Sequence, residues 1–187
     1  MREGPRLRGL RIMGLTLVLG IGNSLLTDDG VGIHAALRLR EALGDADDVQ
    51  VLDAGTLSFF LLPWLERADA LIAFDAAVDG GVPGDLVLKE GADFDAFVRR
   101  PGRSVHEIGL ADLLDMARLA DKLPARRVLI GVEPASTDWG LECTPAVAAT
   151  VPRCVDLARR YVEDWRAAPV PIPVTAHVPG PENAHAV

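Results

Sequence analysis

The side chains with chemistry to offer in this sequence gather where apolar runs stop. Asp28 and Asp29 follow the run of residues 15–21 across the break Gly20-Ile21-Gly22-Asn23. Asp53 ends the run 49–52, Asp75 ends Leu71-Ile72-Ala73-Phe74, and Glu133 ends 127–132. His106 stands in Ser104-Val105-His106-Glu107, ahead of a helical pattern. Two carboxylates and one imidazole make a mixed oxygen and nitrogen set that suits a borderline divalent metal such as nickel or zinc, with positions left for water or substrate.

Each of these residues also has a plainer role. Acids in the first turn of a helix are favoured by its macrodipole, which alone accounts for Asp28 and Asp29. Adjacent acids point apart, however, and Ile33, four residues beyond Asp29, lies on an apolar stripe. Asp29 is therefore the inward candidate, and Asp28 is expected to serve the helix end. A carboxylate at the mouth of a buried strand, as Asp75 is, needs a partner or water, which loop amides could supply. His106 could simply help form its turn. Against that, a helix N-terminus disfavours the imidazolium and leaves a neutral ring fit to bind metal or take a proton. Asp53, with Gly55 and Thr56 behind it, reads as a turn former, and Glu133 is similar. His34 lies beside the acids but is expected to point sideways, and His177 and His185 fall in the C-terminal tail.

Other chemistries fit less well. Ser24 lacks the G-x-S-x-G elbow, and Cys143 precedes a helix cap with no evident His-Asn pairing, so neither is taken as a nucleophile. A dinucleotide loop of the form GxGxxG needs glycine where Leu25 stands, and no GxxxxGK[ST] occurs.

Strands alternating with helices must position these groups. Residues 15–21 read as a strand buried on both faces, with Gly20 and Gly22 permitting a tight turn and close backbone approach. Ile33, Ala36, Leu37 and Leu43 form the stripe of a helix over 28–43, stopped by Gly44. Further strands are predicted at 49–52, 71–74, 86–89 and 127–132, with an apolar helical turn or two over 57–68. The 86–89 strand follows the third so closely, through the turn Val82-Pro83-Gly84-Asp85, that it belongs antiparallel at an edge. Ser104 and Glu107 have capping-box spacing, and Leu110, Leu113, Leu114 and Ala117 continue that helix. Thr144-Pro145 opens a last helix with Val147, Val151, Cys154, Val155, Ala158 and Trp165 inward, which Pro152 should bend. The alternation implies an α/β fold with a mostly parallel sheet covered on both faces. Ligands of such folds bind beyond the carboxyl ends of the strands, where strand order reverses, and there the acids and the histidine could converge.

A chain of 187 residues, 49% hydrophobic and 25% charged, suits one domain. A net charge of -8 argues against nucleic acid as a partner. Only Cys143 and Cys154 are present, too few for a disulfide framework or a zinc knuckle, so a reducing cytoplasm is the expected home. Residues 1–12 carry four arginines and are expected to be a disordered or mis-assigned extension, with Met13 the natural beginning. They do not read as a signal peptide, since glycines interrupt the apolar stretch that follows and no small-residue cleavage site appears. No apolar run approaches the roughly 20 residues needed to span a membrane. The domain is expected over 13–166, with a proline-rich flexible tail over 167–187.

The motifs LVLGIGNSLLTDDGVG, LDAGT, FDAAV, SVHEIGLADLL and GVEPAS occur in this order. Together they resemble the endopeptidases that mature the large subunit of nickel-iron hydrogenases, over roughly residues 15–166, and their joint occurrence is far more specific than any one alone. The resemblance implies a three-layer α/β/α sandwich around a mixed, mostly parallel five-stranded sheet with one antiparallel edge strand. It implies metal binding and catalysis by Asp29, Asp75 and His106 in an aspartic-type peptidase, with a carboxylate-bound or metal-bound water as the attacking group. The substrate implied is the hydrogenase large-subunit precursor, cut at one bond near its C-terminus, with nickel carried by that precursor and no organic cofactor. A cytoplasmic monomer is expected. Some members have glutamate where Asp29 stands, so the carboxylate here is one methylene shorter. The alternatives are a nickel-binding chaperone of the same precursor that cuts nothing, and a metal-dependent exopeptidase of related fold.

Overall fold

The computed structural model describes residues 14–56, 59–100 and 107–168. In chain order its elements are β1 (Thr16–Ile21), a 3-10 turn (Thr27–Gly30), α1 (Val31–Leu43), β2 (Val49–Gly55), a second 3-10 turn (Phe59–Leu61), α2 (Leu62–Leu65), β3 (Ala70–Ala76), β4 (Leu86–Glu90), α3 (Gly91–Phe97), α4 (Glu107–Leu119), β5 (Arg126–Val132), α5 (Pro145–Ala148) and α6 (Val151–Ala167). Five strands form one sheet in the order β2-β1-β3-β5-β4. Every pairing is parallel except that of β4, which runs antiparallel to β5 at the edge.

Side-chain alternation along the buried strands sends apolar groups both ways. From β1, Leu17, Leu19 and Ile21 enter the layer beneath α2, α3 and α4, while Val18 enters the layer beneath α1, α5 and α6. The three-layer α/β/α arrangement expected from the sequence is therefore present. The chain leaves β1 for β2 on one side and crosses back to β3 on the other, so strand order reverses between β1 and β3.

Local differences from the expected elements have physical reasons. The first helix begins with a 3-10 turn over the two aspartates, and regular α-helix starts only at Val31. The short helix α3 was not expected. Gly91 and Asp93 at its start are poor helix formers, and burial of Phe94 and Phe97 holds it instead. The last helix is two helices. Thr150 donates its hydroxyl hydrogen to the Gly84 carbonyl at 2.6 Å and stands at the N-cap of α6, so Pro152 falls in the first turn, where its missing N–H is harmless. Val162 takes the inward place expected of Trp165, which is half-buried and packs on Tyr161 with ring centroids 5.4 Å apart.

Candidate active site

Close backbone contacts bring the first acidic turn to the strand ends. Gly22 has φ +134°, and a Cβ there would lie 1.8 Å from the Asp29 carbonyl oxygen. Only glycine fits where the end of β1 passes the turn. A Cβ on Gly32 would lie 2.2 Å from the Ile21 carbonyl oxygen and 2.4 Å from that of Phe74, so α1 enters against the ends of both β1 and β3. Asp75 follows Phe74 directly and pairs in register with Gly131 of β5. Asp29 is 2% and Asp75 6% exposed. Two buried carboxylates are thus delivered to the carboxyl ends of neighbouring parallel strands, at the point where strand order reverses.

Asn23 orients the first of them. Its backbone N–H donates to Asp29 Oδ2 at 2.8 Å, while its own Oδ1 accepts from the Leu25 N–H at 3.0 Å. The Gly22 N–H donates to the Gly55 carbonyl at 2.9 Å. The glycine loop is therefore a floor whose amides are already bonded, and it holds a carboxylate in place.

Asp28 does not serve its own helix end. Fully buried at 0% exposure, it accepts from Thr144 N–H at 2.7 Å on Oδ1, and on Oδ2 from Ala135 N–H at 2.8 Å, Ser136 N–H at 3.1 Å and the Thr144 hydroxyl at 2.9 Å. A buried carboxylate needs such donors, and here they come from a loop more than a hundred residues downstream. Thr144, the N-cap of α5, turns its hydroxyl to Asp28 and caps nothing with its side chain. Thr27 adds a second tie. It holds φ +38°, a left-handed conformation costly for a β-branched residue, and its hydroxyl reaches the carbonyls of Ser136 at 2.7 Å and Asp138 at 3.1 Å.

The remaining candidates separate clearly. Asp53 is exposed and accepts from the Gly55 N–H at 2.9 Å, as a turn former should. Glu133 Oε2 accepts from the backbone of Asp79 at 2.8 Å and Gly81 at 3.3 Å, fastening the connection from β3 to β4. His106 and the capping serine Ser104 lie outside the described residues, as do residues 1–12, His177 and His185. Among the described residues no group of three His, Cys, Asp or Glu side chains is arranged to hold a metal ion.

His34 stays beside the acidic turn, with its Nε2 3.5 Å from where a Cβ on Gly30 would stand. It lines a small cleft of about 70 Å³ with Arg38, Glu142, Cys143, Ala148 and Val151. Cys143 shares that cleft, yet its thiol is pushed up to about 11, first by burial and then by the charges of Asp28 and Glu142. A nucleophilic cysteine needs the opposite shift.

Fold and site together define an α/β protein whose buried acids stand at the switch point of a parallel sheet. The model of the family described as HycI, hydrogenase maturation protease, matches residues 33–160, a range that holds Asp75 and His106 and begins four residues beyond Asp29. The hydrogenase expression/formation protein HupD of Rhodobacter capsulatus is 39% identical over 150 residues, covering 80% of this chain and 71% of that protein. The hydrogenase 2 maturation protease of Escherichia coli is 35% identical over 136 residues, covering 72% and 82%. Among solved structures, the hydrogenase maturating endopeptidase HybD of Escherichia coli superposes with a TM-score of 0.75 at 31% identity, over 80% of this chain and 93% of that one. The maturation protease HybD of Thermococcus kodakarensis gives 0.69 at 29% identity, over 79% and 99%. The chain belongs to the hydrogenase maturation protease family, hydrolases that process the C-terminus of the hydrogenase large subunit.

Proposed function

We propose that this chain removes a short C-terminal extension from the nickel-loaded precursor of a hydrogenase large subunit, as an aspartic-type endopeptidase in which Asp29, Asp75 and His106 both meet the nickel and carry the cleavage. The observation that carries this reading is the arrival of two buried carboxylates, from different elements, at the ends of β1 and β3. Nickel belongs to the substrate in this reading, and when bound it supplies a Lewis acid beside the scissile bond. Oxygen donors from Asp29 and Asp75 with a ring nitrogen from His106 suit that ion. In the cleavage, one carboxylate takes a proton from water as the water oxygen adds to the scissile carbonyl carbon, and the proton then passes to the leaving amine. The Asn23 amide fixes Asp29 for this work, so little reorganisation is needed when substrate arrives.

We place the protein in the cytoplasm and as a monomer. Cys143 and Cys154 are free thiols, in keeping with a reducing compartment. No described helix is long and apolar enough to cross a membrane.

The test is intact-mass analysis of precursor incubated with the purified protein. Mass loss is expected from the nickel-loaded form and not from the nickel-free form. Asp29→Asn, Asp75→Asn and His106→Ala should each lower the processing rate by about 100-fold or more, with the circular dichroism spectrum retained. Wild-type rates in any of the three would remove that residue from the assignment. A stable complex without mass loss would replace the peptidase by a chaperone, and turnover of short peptides with added metal alone would indicate an exopeptidase.

A further inference from the structure

Three apolar side chains next to the candidate active site stand in solvent on a firmly bonded backbone. Leu25 is 49%, Trp139 83% and Leu141 66% exposed. Leu26 and Gly140 form a parallel bridge between their two loops, with the Gly140 N–H on the Leu25 carbonyl at 3.0 Å and the Thr27 N–H on the Gly140 carbonyl at 2.8 Å. The approach is close because residue 140 is glycine, where a Cβ would stand 2.7 Å from Thr27 Cγ2. The four bonds to Asp28 and the two from the Thr27 hydroxyl anchor the same loop from beneath.

We propose that Leu25, Trp139 and Leu141 form the platform on which the precursor polypeptide docks, receiving an apolar segment of it beside the bond to be cut. The inference rests on the peptidase reading above and names a surface which that reading does not require. Continuity with the site identifies the occupant. The Asp29 N–H donates to the Leu26 carbonyl at 2.9 Å, and Leu26 bridges Gly140, so the carboxylate and the platform belong to one hydrogen-bonded unit. A polypeptide resting on Trp139 is therefore held at a fixed offset from Asp29. Folding gains nothing from an indole left outside, whereas covering an aromatic of that size is the usual source of binding energy in an interface. Asp28 is the positioning residue of this arrangement, since it holds the platform loop and the Asp29 turn in one relation.

Steady-state processing and binding decide the proposal together. In Trp139→Ala/Leu141→Ser, KM for the nickel-loaded precursor should rise about tenfold or more with kcat within about twofold of wild type, and Trp139→Phe should recover most of the loss. Leu119→Ser, an exposed substitution at the far end of α4, should leave KM unchanged. Binding is read separately by rapid mixing of wild-type protein with precursor, where tryptophan fluorescence should shift to the blue before mass loss begins. The emission belongs to Trp139 if the shift disappears in Trp139→Phe. If wild type processes precursor and the double variant keeps its KM, the platform is wrong. If wild type does not process precursor, the peptidase reading fails, and the platform stands or falls on whether the double substitution abolishes precursor binding. A blue shift on concentrating the protein alone would assign the surface to a second copy of this chain and overturn the proposal.

Discussion

Asp28 and Asp29 are neighbours in sequence and are held by different parts of the molecule. Asp29 takes the amide of Asn23, six residues before it, and Asp28 takes donors at positions 135, 136 and 144. Spacing marked Asp29 as the inward acid through Ile33 and left Asp28 to the helix end, whereas both are buried and Asp28 the more completely. No local pattern could assign Asp28 its partners, since they come from another loop. Cys143 lies beside the same network and feels its charge. A thiol pushed up to about 11 stays protonated at neutral pH. Alkylation of Cys143 by iodoacetamide in the folded protein at pH 7.5 should be roughly 100-fold slower than that of an ordinary cysteine with pKa near 8.5. The rate should climb between pH 9 and 11, as followed by mass spectrometry of the peptide carrying Cys143. Fast alkylation at neutral pH would mean that burial does not govern this thiol.

At the scale of elements, glycines do two different jobs that the sequence does not distinguish. Gly44 ends α1 with φ +60°, and a Cβ there would meet nothing within 4 Å, whereas a Cβ on Gly32 would meet carbonyl oxygens at 2.2 and 2.4 Å. Alanine at 44 meets only backbone strain, on the order of 1 kcal/mol. Alanine at 32 must push α1 away from the ends of β1 and β3, at a cost of about 3 kcal/mol or more. Gly32→Ala should therefore lower Tm by roughly 6–12 °C and Gly44→Ala by about 2–4 °C, and calorimetry would show the order reversed if packing at 32 relaxed freely. The central strands β1, β3 and β5 were readable from their apolar runs because burial on both faces leaves few polar positions to break them. Helix α3 was not, because two phenylalanines three residues apart are too short a period to announce a helix. The division between α5 and α6 depends on Thr150 meeting Gly84, a contact between distant segments.

Across the whole molecule, a forked pair ties the end of the last helix to the start of β2. Arg166 near the end of α6 donates from Nε and Nη2 to the two oxygens of Asp48 at 2.6 and 2.7 Å, and Asp48 stands just before β2. The Arg166 hydrogen bonds hold the Asp48 carboxyl below its usual 3.8. A depressed carboxylate contributes stability that is present above its unfolded value and is lost as pH falls through the folded one. Arg166→Met should cost up to about 1 kcal/mol at pH 7, since the pair is partly open to solvent. That difference should fade as pH drops from about 4 towards 2, measured as urea midpoints of variant and wild type; a constant difference would assign the effect to packing of the arginine stem. The topology followed from the alternation of strands and helices, and the antiparallel edge from the short step between β3 and β4. The carboxyl ends of β1 and β3 were singled out as the ligand-binding end from the alternation of strands and helices, while the Asn23 amide and the Asp28 loop emerge only once the chain is folded.

The bonds to Asp28 span 107 to 116 residues of chain. A nascent chain leaving the ribosome can finish β1, α1, β2 and β3 long before Thr144 exists. Until then the turn carrying Asp29 lacks the loop that closes over it, and loop closure of that length comes late in folding as well. The surroundings of the Asp29 turn are thus completed only after all five strands of the sheet have been made.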